Sequence, residues 1–323
     1  MSSRLFVPAD GSLSTFHALH RLPDTAFHHF AYELRHPIGI YRKSISEIDG
    51  QFQAVFSGLD DIATEFYETG AISRFDALLR DYKRLLFALR EHIDNCYLIL
   101  QSLTPVNKAL LSKKPFSNQY LKAAKYPGFN KFENAICPYK TQHIGAIVNA
   151  LKHKQRTLRG IGIHSKSDSR FFVPGYYVEG TSASGALAPC RSVHDSEHSA
   201  FSFNRDIVLH IWNLFVIDQA LSHAIDAGAD LWNASNHQAT GISPSDNPTL
   251  RHLLKRAEAF PAQHFPDEIR KPSVTIKPRK DGWTLQYPSR QKAEPLPDEF
   301  GIRVFTKADL TTPYINLPYF KNP

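Results

Sequence analysis

The sequence predicts a mainly α fold: an antiparallel helical bundle with a small β insertion at about 157–194 and a proline-rich C-terminal extension. Three observations carry this expectation. Two long apolar seams, 45–66 and 72–103, are separated by a glycine; a nearly all-apolar stretch covers 203–227; and the β-branched and aromatic runs gather between 157 and 194. At 323 residues and 42% hydrophobic composition, the chain is long enough to bury a core without disulfides.

The first seam sets Ile45, Ile48, Phe52, Val55, Leu59, Ile62 and Phe66 three and four residues apart, along one stripe of a helix. Gly70 suits the left-handed conformation that ends such a helix. The second seam repeats the spacing from Ile72 through Phe75, Leu79, Tyr82, Leu86, Leu89, Ile93, Cys96 and Leu100 to Leu103. The short connection makes the two helices antiparallel neighbours, and Leu78, Leu85 and Leu98 widen the buried face beyond a two-helix seam. Ile144, Ile147, Val148 and Leu151 predict a further amphipathic helix, with Asn149, Lys152, His153 and Arg156 on its other side. A helix from about Phe203 to Ala227, stopped by Gly228, is apolar nearly all round and so reads as central. Within it Asp218 falls among isoleucines, where a carboxylate needs donors; it reads as a polar tether to a neighbouring helix.

The stretches "TLRGIGIHS", "RFFVPGYYVEG" and "ALAPCRSVH" predict two or three short strands, with "GTSASG" as a hairpin loop. That loop misses the nucleophile-elbow spacing, and "GIGIHS" lacks the third glycine of a dinucleotide site. Ten prolines fall between 261 and 323, and "VTIKPRKDGWTLQYP" offers a hairpin turning near Asp281 and Gly282. The expected division is a helical bundle domain with its β insertion over 1–230, and an extension over 231–323 that packs on it or acts as an arm.

Charge is distributed unevenly. Residues 104–170 carry 13 Lys/Arg against 2 Asp/Glu, whereas 1–103 and 171–230 are both net acidic. A concentrated basic segment points to RNA or another polyanion as partner, or else forms a solvated lysine-rich connector. Within it Asn149, Lys152, His153, Lys154, Arg156 and Arg159 are the candidate phosphate contacts, because such groups hold a backbone without reading bases. Three widely spaced cysteines, Cys96, Cys137 and Cys190, argue against a disulfide framework and for a reducing compartment. The first residues lack an apolar signal region, and no stretch approaches the roughly 18 to 20 apolar residues of a membrane span. The expectation is a cytoplasmic protein with no membrane partner.

In "SFNRDIVLHIWNLF", Arg205 stands five residues before His210, with Asp206 directly after the arginine, on a helix of a predicted bundle. This resembles the R-x4-6-H signature of the HEPN superfamily, over about residues 40–230. The resemblance implies a composite site formed by paired protomers, a homodimer cleaving RNA without metal or other cofactor. Arg205, Asp206 and His210 then become catalytic, with His210 as acid or base and Arg205 stabilising charge on phosphorus. Five residues advance an α-helix by about 500°, so the two side chains point about 140° apart, and a shared phosphate requires a neighbouring helix or a second protomer. Asp206 and His210 are four apart and able to hydrogen-bond. In the alternative reading Asp206 favours the helix N-terminus, Arg205 is solvated and His210 flanks the core.

Two further readings stand beside the nucleic-acid-binding one. The chain is a non-catalytic protein-interaction module whose basic helix and proline-rich tail dock onto a partner; or it is a zinc hydrolase. For the latter, His194-x-x-Glu197-His198 matches the inverted zinc-protease pattern, which on a helix gives two ligands on one face and Glu197 as general base. Its setting is serine-rich and lacks an apolar stripe.

Overall fold

The computed structural model describes residues 3–154, 156–168, 170–194, 196–232, 248–289, 294, 296–305 and 316–319. Strand β1 (Ser3–Pro8) leads into helix α1 (Ser14–His20), then the two long helices α2 (Pro37–Thr69) and α3 (Phe75–Ser102). Four shorter helices follow: α4 (Lys108–Leu111), α5 (Ser117–Ala123), α6 (Phe129–Cys137) and α7 (Ile144–His153), the last two joined by a π-helical turn at Pro138–His143. Next come β2 (Leu158–Ser165), β3 (Phe172–Thr181), β4 (Leu187–Pro189), a single turn α8 (Arg191–His194) and β5 (Phe201–Ser202). Helix α9 (Phe203–Gly228), helix α10 (Arg251–Glu258) and strands β6 (Ser273–Arg279), β7 (Gly282–Ser289) and β8 (Phe300–Phe305) complete the described chain.

The expected helical hairpin forms. All seven residues of the first seam are buried, and α2 lies along α3 through them. Each such side chain contributes about 2 kcal/mol through its burial. Gly70 ends α2 at φ +66°, its N–H bonded to the Phe66 carbonyl at 2.8 Å. Helix α9 touches α1, α3, α6 and α10 as well as β1, β3 and β6, which is why its apolar residues face several ways. Gly128, at φ +78°, begins α6 against α9 so closely that a Cβ would stand 2.9 Å from the Ala224 Cα.

The expectation of a mainly helical bundle is corrected: the chain is an α/β fold, with eight strands in two sheets among the described residues. The two or three strands expected at 157–194 are present as β2, β3 and β4, but they form part of a curled sheet ordered β4-β3-β2-β8, with β5 also pairing β3. Its last strand comes from the C-terminal region, Ile161 opposite Val304 and Ile163 opposite Ile302. The second sheet, β1-β7-β6, joins the first residues of the chain to the hairpin near Asp281 and Gly282, Leu5 standing opposite Leu285. The physical reason is non-local pairing: β1 and β8 are short, and each finds its partner far along the chain, where local periodicity carries no signal. The described part of 231–323 thus supplies strands to both sheets and packs α10 on α9.

Asp218 is the tether its position called for. Its carboxylate accepts from the Ser14 N–H (2.8 Å) and hydroxyl (2.6 Å), the Thr15 N–H (2.9 Å) and the Tyr41 hydroxyl (2.6 Å), fixing α1 and α2 to α9. Asp218→Ala leaves the buried Thr15 N–H and Tyr41 hydroxyl unpaired and is expected to cost about 3 kcal/mol in urea unfolding, with Tyr41→Phe costing about 1 kcal/mol. An Asp218→Ala loss below about 0.5 kcal/mol contradicts the assignment.

Candidate functional site

Asp206 and His210, one turn apart on α9, both point into the protein and have no exposed side-chain surface. Opposite them runs the turn between α6 and α7. Pro138 has no N–H for a regular helical ladder, and the backbone there widens into a π-helical turn, a feature often found at functional sites. Its ends present Tyr139 and His143, also four apart, so two i,i+4 pairs meet. His143 Nε2 lies 2.7 Å from Asp206 Oδ1, and the Tyr139 hydroxyl 2.7 Å from His210 Nδ1.

Two more tyrosines close the cluster from other elements. Tyr82 of α3 and Tyr176 of β3 donate to Asp206 Oδ2 at 2.5 and 2.6 Å. The Tyr82 oxygen also lies 2.9 Å from His210 Nε2, while Asp206 Oδ2 and His210 Nε2 are 3.4 Å apart. The expected Asp206–His210 pair is therefore bridged by a phenol. Because Tyr82 commits its only proton to Asp206, its oxygen accepts from His210 Nε2–H, and His210 Nδ1 accepts from Tyr139.

Electrostatics fit this pattern. Burial pushes the Asp206 carboxyl up, but His143 and His210 beside it outweigh burial and hold it well below the usual carboxylate range. Burial lowers His210, with Asp206 pulling the other way, and raises all three phenols well above their ordinary value, first through desolvation and then through Asp206. The centre is thus an ionised carboxylate surrounded by two imidazoles and the hydroxyls of Tyr82 and Tyr176. Among the described residues no lysine or arginine pairs with it.

Arg205 does not join the cluster. Its Nη2 donates to the Pro272 carbonyl at 2.8 Å and its Nη1 lies 3.6 Å from Glu268, on the side of α9 that borders a cleft of about 90 Å³ with Val208 and His264. The angular separation expected for a straight helix is what the structure has. Nor does the His194-x-x-Glu197-His198 stretch converge. Helix α8 ends at His194, whose buried Nε2 accepts from the Val178 N–H at 2.8 Å, so the lone pair a metal requires is taken. Glu197 and His198 lie beyond that helix, His198 exposed.

Of the six candidate phosphate contacts, Asn149, Lys152, His153 and Lys154 are exposed at the end of α7. Arg156 instead meets the Cys190 sulfur, and Arg159 pairs with Glu179 at 2.7 Å. A longer run of exposed lysines lies upstream. Between Pro105 and Phe132 the sequence has six lysines and no Asp or Glu, and Lys108, Lys113, Lys114, Lys122, Lys125 and Lys131 are all exposed. The backbone there is pinned by buried Tyr120, whose hydroxyl accepts from the Asn107 N–H at 3.0 Å and meets the Tyr32 hydroxyl at 2.8 Å. Phe116, in the middle of this segment, is 77% exposed.

Sequence reasoning reached Asp206 and His210 but missed His143, Tyr82, Tyr139 and Tyr176. The matching spacings Tyr139-x-x-x-His143 and Asp206-x-x-x-His210 are the signal that pairs the two turns. No helix among the described residues is long and apolar enough to cross a membrane. Comparison with family models, curated proteins and solved structures returns no significant match.

The buried histidines set an acid response. Desolvation lowers His92 to about 4, His194 to about 3 and His264 to about 4, so each binds a proton less readily folded than unfolded. Their contribution to stability is complete above 6.5 and is lost progressively as pH falls from there to the folded values of about 3 to 4. Glu268 acts oppositely: burial raises it to about 7, against Arg205 and Ser202, so its contribution is lost as pH rises from 4.5 to about 7. Urea midpoints are expected to fall between pH 6.5 and 4.5, and more steeply in Glu268→Gln. A flat wild-type profile over that window contradicts the assignment.

Proposed function

We propose that the protein binds nucleic acid through its lysine-rich segment without reading base sequence, and that single-stranded RNA is the form it takes. One observation carries the reading: six exposed lysines in succession, none in an ion pair among the described residues, with no acidic residue between them. An exposed lysine run left without counter-charge is suited to phosphates, which release condensed cations when neutralised. Phe116 favours single strands, because an exposed ring amid cations offers a face on which a base stacks. Lys152 and Lys154, exposed at the end of α7 in the same basic stretch of sequence, add to the charge.

The reading is binding rather than cleavage. His210 has no exposed surface and Arg205 is engaged by Glu268 and Pro272, so this pair offers no phosphate a common place to sit.

Fluorescence anisotropy with a labelled oligoribonucleotide over a range of salt tests it. Replacing Lys113, Lys114 and Lys122 with Ala is expected to reduce the slope of log K against log salt by about 2, at about 0.7 per phosphate contact on a single strand. Phe116→Ala is expected to weaken binding by about 1 to 3 kcal/mol with the slope unchanged, the signature of lost stacking. A triple variant with wild-type slope and affinity overturns the reading.

A further inference from the structure

We propose that His143, Asp206 and His210 form a binding site for one divalent first-row transition metal ion, independent of the lysine-rich segment. The donor atoms of the three residues lie within 4.8 Å of one another, Asp206 being 2.7 Å from His143 Nε2 and 3.4 Å from His210 Nε2. Nitrogen and oxygen ligands about 2.1 Å from a tetrahedral ion stand about 3.4 Å apart, so changes of up to about 1.4 Å in these separations bring the set around one centre. Two imidazoles and a carboxylate, with no thiolate, suit zinc, iron(II), cobalt(II) or nickel rather than calcium or magnesium.

The surroundings are those of a metal site and not only of a hydrogen-bonded core. The far nitrogen of His210 is held by Tyr139 at 2.7 Å, and the carboxylate by Tyr82 and Tyr176; such outer contacts orient ligands and fix which ring nitrogen faces the ion. When Nε2 takes the metal, the His210 proton moves to Nδ1 and the Tyr139 bond reverses, Nδ1–H donating to the phenol oxygen. No net charge is created on the ring. A buried carboxylate without a lysine or arginine partner among the described residues also gains the countercharge it lacks. Entry is open on one side, since 18% of the His143 side chain is exposed while Asp206 and His210 are closed off. Three protein ligands leave at least one position for water or for the Tyr82 hydroxyl.

The test is titration of chelator-stripped full-length protein with Co²⁺, followed by its visible d–d bands, then competition with Zn²⁺. One equivalent is expected to bind with a saturating spectrum that Zn²⁺ erases. His143→Ala, checked for folding by circular dichroism, is expected to bind at least about tenfold more weakly. His198→Ala is expected to bind as wild type. The absence of d–d bands in wild type, or a folded His143→Ala with wild-type affinity, overturns the proposal. A variant-free measurement guards against misfolding: on Zn²⁺ addition the imidazole ¹⁵N signals of both His143 and His210 are expected to shift in wild-type protein, and stationary signals overturn the proposal equally.

Discussion

The fold turns on a buried negative charge. Asp206 has no exposed surface, yet its carboxylate is approached by a phenol from α3, a phenol from β3 and an imidazole from the π-helical turn. A bare carboxylate in such a place is untenable, so every element bringing a donor is constrained to arrive at its own angle and depth. The joint therefore couples the long helical hairpin, the curled sheet and the central helix α9 at one point. Asp218 repeats the device three turns further along α9, where four donors from α1 and α2 converge on a second carboxylate. One helix thus carries two carboxylate anchors among its apolar side chains, and the layers of the molecule are registered against both.

This arrangement separates two kinds of chemistry. The interior holds a compact set of imidazole, carboxylate and phenol groups whose single partly exposed member is His143. The exterior holds a lysine surface supported by Tyr120, Leu121, Phe129 and Phe132, which are buried beneath it. Electrostatically the two are opposite: an anionic centre that attracts cations, and a cationic surface that attracts phosphate. Nothing requires one ligand to touch both, and the proposed binding surface of the lysine segment stands apart from the proposed metal site in the cluster.

Much of the helical layer was legible. The three- and four-residue spacing from Ile45 to Phe66 and from Phe75 to Leu103 marks two facing helices because burial of one stripe is what stabilises them. Asp218 was legible as a tether because burial makes an unpaired carboxylate costly. The sheets were not, since β8 pairs with β2 and β1 with β7 across most of the chain, and short strands carry their pairing information in partners rather than in themselves. The site was half legible. Asp206 and His210 were reached through the Arg205…His210 spacing, and their separation of four residues marked them as able to pair. Tyr82, Tyr139 and Tyr176 read as large apolar side chains, because a phenol on a buried seam looks like a hydrophobe until its hydroxyl finds a partner. Arg205 entered with His210 as the arginine of the R-x4-6-H spacing, whereas helical geometry sends it toward Glu268.

The measurement that bears most directly on this account is the unfolding free energy of Asp206→Asn in urea, in chelator-treated buffer. The substitution keeps the shape of the side chain and removes the charge around which Tyr82, Tyr176, His143 and His210 are gathered. If the carboxylate is the joint of the fold, stability falls by about 3 kcal/mol, the scale for weakening several buried hydrogen bonds to a charged group at once. A variant within about 0.5 kcal/mol of wild type would show that packing alone holds these layers in register.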